Sequence, residues 1–226
     1  MLRNLLMAAW GAAMLASGAD SSRAPVLIEL FTSEGCSSCP PADRLLQSLD
    51  SQAIVLSEHV DYWDRLGWRD PYSLHANTVR QESYARVFGK DGPYTPQMVI
   101  DGATEFVGND ARRAGEELAR ARSREKVGVH LTRSGARVQV RVDPTSKAAD
   151  VWLALADDRG TQQVAAGENK GRTLHHVAIL RSLKKIGALK KGAEFSQIVE
   201  TPAGQGRVIV FVQEGGFGKV YGVGAL

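Results

Sequence analysis

The chain has 226 residues, 43% hydrophobic and 23% charged, with 28 basic against 25 acidic side chains for a net charge of +3. That length allows one elaborated domain or two modest ones, with enough chain for a core that needs no staples. The composition is that of a globular protein; it excludes collagen, coiled coil, polytopic membrane protein and disordered tail, and the evenly spread charge gives no support to a nucleic-acid surface.

Met1 to about Ala19 reads as an export signal. Arg3 supplies the positive start, Leu5 to Leu15 the apolar core, and Ala16-Ser17-Gly18-Ala19 a small-residue cleavage region. The apolar run is too short for a comfortable membrane span, although an uncleaved N-terminal anchor is the alternative. Cleavage would leave a mature chain with no membrane span, in the periplasm or outside the cell, where disulfides form and persist.

From residue 24 to about 125 strands alternate with helices. Val26 to Phe31 is an apolar strand run, followed after Cys36 by a helical stretch to Leu49. Ala53 to Val60 predicts the next strand, and Tyr72 to Phe88 a helix closed by Gly89. Pro96 to Ile100 is a strand, Asp101-Gly102 a hairpin turn into Thr104–Val107, and Asn109 is placed to cap a helix reaching about Arg124. From residue 126 to 226 the apolar period becomes two: Val127, Val129 and Leu131, then Val138, Val140 and Val142. Val151–Ala156, Thr173–Leu180 and Arg207–Val212 continue the pattern, which predicts a second, antiparallel β-rich and sandwich-like domain.

The two cysteines form Cys36-Ser37-Ser38-Cys39, after a strand and at the opening of a helix. A helix start presents unpaired N–H groups and a partial positive charge, which favour thiolate over thiol. The reading that follows puts Cys36 at the exposed start as the attacking sulfur, with Cys39 one turn further in to resolve the mixed disulfide. A zinc site would need further ligands, and a covalent haem would need His where Pro40 stands. A structural disulfide and a metal site remain open. Thr95-Pro96, directly before a strand and a hairpin, is where a cis peptide could be built in. With the order strand, CxxC, helix, strand, helix, Thr-Pro, hairpin, helix, the best explanation of the first half is a thioredoxin-like α/β domain.

The stretch Phe31 to Cys39 looks like the active-site segment of glutaredoxins and thioredoxins. With ELFTSEGCSSCPPAD from Glu29, EHVDYWDRLGWRDP from Glu58, YTPQMVIDG from Tyr94 and GENKGRTLHHV from Gly167, the chain resembles domain-of-unknown-function family 1223. These are secreted bacterial thioredoxin-like proteins of unsettled activity. The resemblance implies Cys36 as nucleophile, Cys39 as resolving cysteine, and Pro96 as a cis-proline facing them. The residue before that proline, Thr95, would pair its backbone with a bound peptide. Ser37-Ser38 departs from the thioredoxin dipeptide that tunes redox potential.

Glu29 is a carboxylate in an apolar strand. Thioredoxins carry a buried acid one residue further on, so alternation turns Glu29 to the opposite face, and a paired structural role is expected ahead of proton transfer for Cys39. His59 ends its strand at the edge where α/β crevices form, and reads as a loop anchor, an aid to Cys36 or a metal ligand. The aromatic residues Tyr62, Trp63 and Trp68 could wall a partner site or simply pack the loop down. Gly167 to Arg172 reads as a turn between strands, because it lacks phosphate-loop spacing. His175-His176 would point to opposite faces of a strand, which favours structure over ligation.

The expected function is thiol–disulfide exchange with protein thiols or disulfides as partners, and no organic cofactor is implied because the electrons travel on sulfur. Two alternatives are carried beside it. One is a Cu(I) module built from Cys36, Cys39 and His59, since soft thiolates select that ion. The other is an adaptor whose disulfide is only a staple.

Overall fold

A computed structural model describes residues 24–202 and 206–226. The expected export signal, residues 1–19, lies outside them. The described chain is a mixed α/β fold with three α-helices and eleven strands.

β1 (Leu27–Thr32) is buried along its whole length and pairs in parallel with β2 (Ile54–His59) and antiparallel with β3 (Gln97–Ile100). β3 turns through Asp101-Gly102, both at positive φ, into β4 (Thr104–Val107), the hairpin read from the sequence. α1 (Pro40–Leu49) and α3 (Ala111–Arg122) cover one face of these strands. There Ala42, Leu46, Ala114 and Leu118 pack on Ile28, Leu30, Met98 and Ile100. α2 (His75–Val87) covers the other face, where Tyr84 meets Phe31 and Val99. Strand alternation therefore divides β1 into two sides, Ile28 and Leu30 toward α1, Glu29 and Phe31 toward α2.

Two starts differ from the sequence reading. The cap of α3 is Asp110, not Asn109: its carboxylate accepts the Arg113 N–H, while Asn109 remains in the preceding turn. α2 begins at His75 rather than Tyr72, because Asp70 holds the intervening residues in a turn, accepting from Tyr72 N–H through its side chain and from Ser73 N–H through its carbonyl.

Two long strands, β7 (Ala149–Gln163) and β8 (Thr173–Leu189), pair antiparallel, and β8 joins β2 in parallel at Ser57 and Ile179. With β10 (Arg207–Gln213) and β11 (Val220–Ala225) they complete one eight-stranded sheet, in the order β11-β10-β7-β8-β2-β1-β3-β4. This sheet runs across both halves of the sequence. A separate three-stranded sheet of β5 (Val129–Ser134), β6 (Arg137–Val142) and β9 (Phe195–Glu200) buries Val138, Val140, Val142 and Val199 against Val151, Leu153, Val210 and Val212. The alternation read at 138–142 is the inward face of that layer.

Candidate functional site

The loop from Ser33 to Cys39 connects β1 to α1. Cys36 and Cys39 are joined by a disulfide, and both residues have no exposed surface. The expectation that Cys36 stands exposed at a helix opening is therefore overturned. The helix starts only after Cys39, which occupies the cap position, and Pro40 and Pro41 fill its first turn with residues that have no N–H. The next two N–H groups, of Ala42 and Asp43, donate to the Cys39 carbonyl. The helix-end donors expected to favour a thiolate at Cys36 are thus missing or taken. The Ser38 hydroxyl lies 3.4 Å from the Cys36 sulfur.

Three pieces of chain close over this loop. A Cβ at Gly35 would stand 3.2 Å from Trp63 Cβ, so glycine allows the Trp63 segment to lie against the loop. Trp63 Nε1 donates to Thr95 Oγ1 at 2.8 Å, and the Thr95–Pro96 peptide is cis. Gly108 places Pro96 beside α1: a Cβ there would meet Leu30 Cδ1 at 2.7 Å, Pro96 Cβ at 3.1 Å and Ala42 Cβ at 3.3 Å. Trp63 so links Thr95 to the CxxC loop at Gly35, and Gly108 brings Pro96 close to Ala42 in the first turn of α1. The third piece is the turn between β7 and β8. Its buried Asn169 donates through Nδ2 to the carbonyls of Glu34 (2.8 Å) and Cys36 (2.9 Å), and its Glu168 accepts the Ser37 N–H at 3.0 Å.

Behind the loop lies a buried group of ionisable side chains. His59 Nδ1 is 2.7 Å from Asp70 Oδ2, which also accepts the Glu34 N–H. Burial alone would raise the Asp70 carboxyl, but the His59 ring and the N–H groups of Glu34 and Tyr72 outweigh it and hold the group below the usual carboxylate range. His176 lies 3.3 Å from Glu34 Oε1 and 3.8 Å from Asp43 Oδ1, with its ring edge-to-face against His59 at 4.6 Å. Burial would lower the His176 pKa, yet Asp43 and Glu34 dominate and lift it to about 9. Asp43 is further fixed by the Thr32 hydroxyl, and Glu34 by Trp68 Nε1.

Of the residues singled out from sequence, Cys36, Cys39, Thr95, Pro96 and His59 meet at this end of the sheet. Glu29 does not. It faces α2, where Arg80 Nε donates to it at 2.7 Å and the Tyr84 hydroxyl at 2.6 Å, a paired carboxylate inside the core. His175 is exposed and His176 buried, the opposite-face arrangement read from the sequence. Among the described residues no three His, Cys, Asp or Glu side chains are grouped to hold a metal ion. Nor is any described helix long and apolar enough to cross a membrane. Glu34, Asp43, Asp70, Asn169 and His176 were not legible as site residues. The signal they gave was membership of the segments that carry the family resemblance, Glu34 and Asp43 beside the cysteines, Asp70 in the stretch from Glu58, and Asn169 and His176 in the stretch from Gly167.

Comparison with known proteins follows this geometry. A crystal structure of an Agrobacterium tumefaciens protein is similar at 27% identity with a TM-score of 0.78, covering 90% of this chain and 94% of that one. HBP35 of Porphyromonas gingivalis shares the fold at 12% identity with a TM-score of 0.59, covering 91% of this chain and 76% of its own. No curated protein matches the sequence. Residues 27–213 match the family described as protein of unknown function (DUF1223), and the chain belongs to that family.

Proposed function

We propose that this chain is a thiol–disulfide exchange protein of the periplasm or extracellular space, with a thioredoxin-like unit formed by β1 to β4 and α1 to α3. The observation that carries the reading is the Cys36–Cys39 disulfide at the β1–α1 junction, with the Thr95–Pro96 peptide linked to that loop through Trp63 and to α1 beside Gly108. A staple alone has no need of that neighbour. A client thiolate would attack Cys36, the bond to Cys39 would break, and Cys39 would leave with the electron pair and take up a proton. A second client thiolate then attacks the client sulfur of the mixed disulfide, releasing Cys36 and a client disulfide. Thr95 and Pro96 would hold the client backbone. Run backwards, the same steps reduce a client disulfide: the Cys36 thiolate attacks it, one client thiol leaves, and Cys39 then releases the second as the Cys36–Cys39 bond re-forms.

The complete burial of both cysteines supports a second reading, an adaptor whose disulfide is a staple. In the exchange reading, a covering segment has to move before a client arrives. The trapping variant Cys39→Ala separates the two. Expressed for export, it should accumulate client proteins in reducible mixed disulfides on Cys36, because the resolving sulfur is gone. A variant that stays a bare monomeric thiol in the exported fraction would favour the staple.

A further inference from the structure

The turn joining β7 to β8 closes on itself before it touches anything else. Val164 N–H donates to the Arg172 carbonyl at 2.9 Å, Gly171 N–H to the Val164 carbonyl at 2.8 Å, and Lys170 N–H to the Gly167 carbonyl at 3.2 Å. Gly167 and Gly171 take positive φ, and Gly167 packs near Trp68 Cβ. From this small rigid turn, two side chains reach the CxxC loop. Arg172 Nη1 donates to Asn169 Oδ1 at 2.7 Å, which orients the amide so that its nitrogen faces the Glu34 and Cys36 carbonyls. Glu168 takes the Ser37 N–H beside them. Within 164–172 the buried side chains are Val164, where the turn leaves β7, and Asn169 at the contact; Gly167, Glu168, Lys170 and Gly171 form an exposed rim, so a swing about Val164 would take little more than Asn169 out of the core.

The three groups satisfied this way are main-chain groups of residues 34, 36 and 37. They present two acceptors and one donor along a short stretch of backbone that belongs to no strand. An amide donor and a carboxylate acceptor, side by side, offer them what the alternating N–H and C=O groups of an extended polypeptide would offer. A small thiol carries no such row of groups.

We propose that residues 164–172 are a latch that holds the disulfide shut, and that an extended polypeptide client opens it by taking over the hydrogen bonds of Asn169 and Glu168. This rests on the exchange reading above and gives it a substrate class, unfolded or extended protein segments in preference to small thiols.

The test is the rate at which the disulfide of the full folded chain is opened by glutathione and by a short unstructured peptide with one central cysteine. In each reaction a thiolate attacks Cys36, the Cys36–Cys39 bond breaks, and Cys39 leaves with the electron pair and takes a proton from solvent; a second thiol then releases Cys36 and is oxidised to the disulfide. The native chain should react with the peptide roughly tenfold or more faster than with glutathione at equal thiolate concentration, and Asn169→Ala should speed glutathione by a similar factor, so that the peptide's advantage shrinks. Should that variant fold poorly, the exposed Glu168→Ala serves instead, with an expected gain of about threefold from the loss of one hydrogen bond. Equal glutathione rates in native and latch variants, or an unchanged peptide advantage, would overturn the latch alone. A disulfide that opens to neither thiol in any folded variant would overturn the exchange reading and the latch with it.

Discussion

His176 is buried between two carboxylates, and this placement moves its pKa from about 6.5 to about 9. A group whose pKa is higher in the folded chain than in the unfolded one binds its proton more tightly when folded, so its contribution to stability is complete below about pH 6.5 and lost as pH rises through 9. At about 1.4 kcal/mol per pKa unit, the contribution is on the order of 3 kcal/mol. His176→Gln, which keeps a polar side chain but cannot titrate in this range, should lower the melting temperature at pH 6 more than at pH 9.5. Thermal melts of both proteins across that interval check this; parallel curves would mean that His176 is not held as an imidazolium. The cluster shows why residue roles were only partly legible. Cys36, Cys39, Thr95 and Pro96 announce themselves by short spacings, and Glu29 was placed by strand alternation. Asn169 and His176 come more than 130 residues after the loop they touch, and only the β2–β8 pairing brings them there.

At the scale of elements, close backbone approach sets limits that side-chain patterns do not reveal. Gly222 in β11 faces the Val127 segment that leads into β5, and a Cβ there would fall on the Val127 carbonyl oxygen, a backbone atom that cannot turn aside. Val127 N–H also donates to the Tyr221 carbonyl at 2.8 Å, so the two segments are pinned at this crossing. Gly222→Ala should therefore destabilise the fold by roughly 1–3 kcal/mol, whereas Gly135→Ala, in an open turn at positive φ, should cost about 1 kcal/mol from backbone strain alone. Denaturant midpoints of the two variants give the ranking, and a cost for Gly222→Ala no greater than for Gly135→Ala would contradict it. The same lesson applies to strand lengths. Val151–Ala156 and Thr173–Leu180 were readable because their apolar residues face cores. The continuations Asp157–Gln163 and Arg181–Lys185 were not, since they are held as strands by pairing with β8 and β7 and carry mostly polar, partly exposed side chains. β9 and β11, with Ser, Gln and two glycines among their residues, carry still less of a period.

Over the whole molecule, the change of period near residue 126 marks a change of architecture but not a break in the sheet. β8 lies beside β2, and Leu27 and Leu56 share a core with Leu180, Ile209 and Phe211. Arg80 of α2 bonds Glu29 of β1 and Gln213 of β10, and Arg207 of β10 bonds Asp50 at the end of α1. The latch and His176 depend on this union, because the strands that carry them belong to the second half while the disulfide belongs to the first. A disulfide set so deep in a shared fold must be either a staple or a guarded exchanger, and its reducibility decides between them. The most direct measurement equilibrates the folded chain with a series of reduced and oxidised glutathione mixtures and follows the oxidised fraction by alkylation and mass. Exchange predicts a reversible transition within the glutathione range while the fold persists. Structural disulfides resist that pool, with potentials below about −300 mV, and a pair that stays oxidised throughout, opening only when the chain unfolds, would contradict the account.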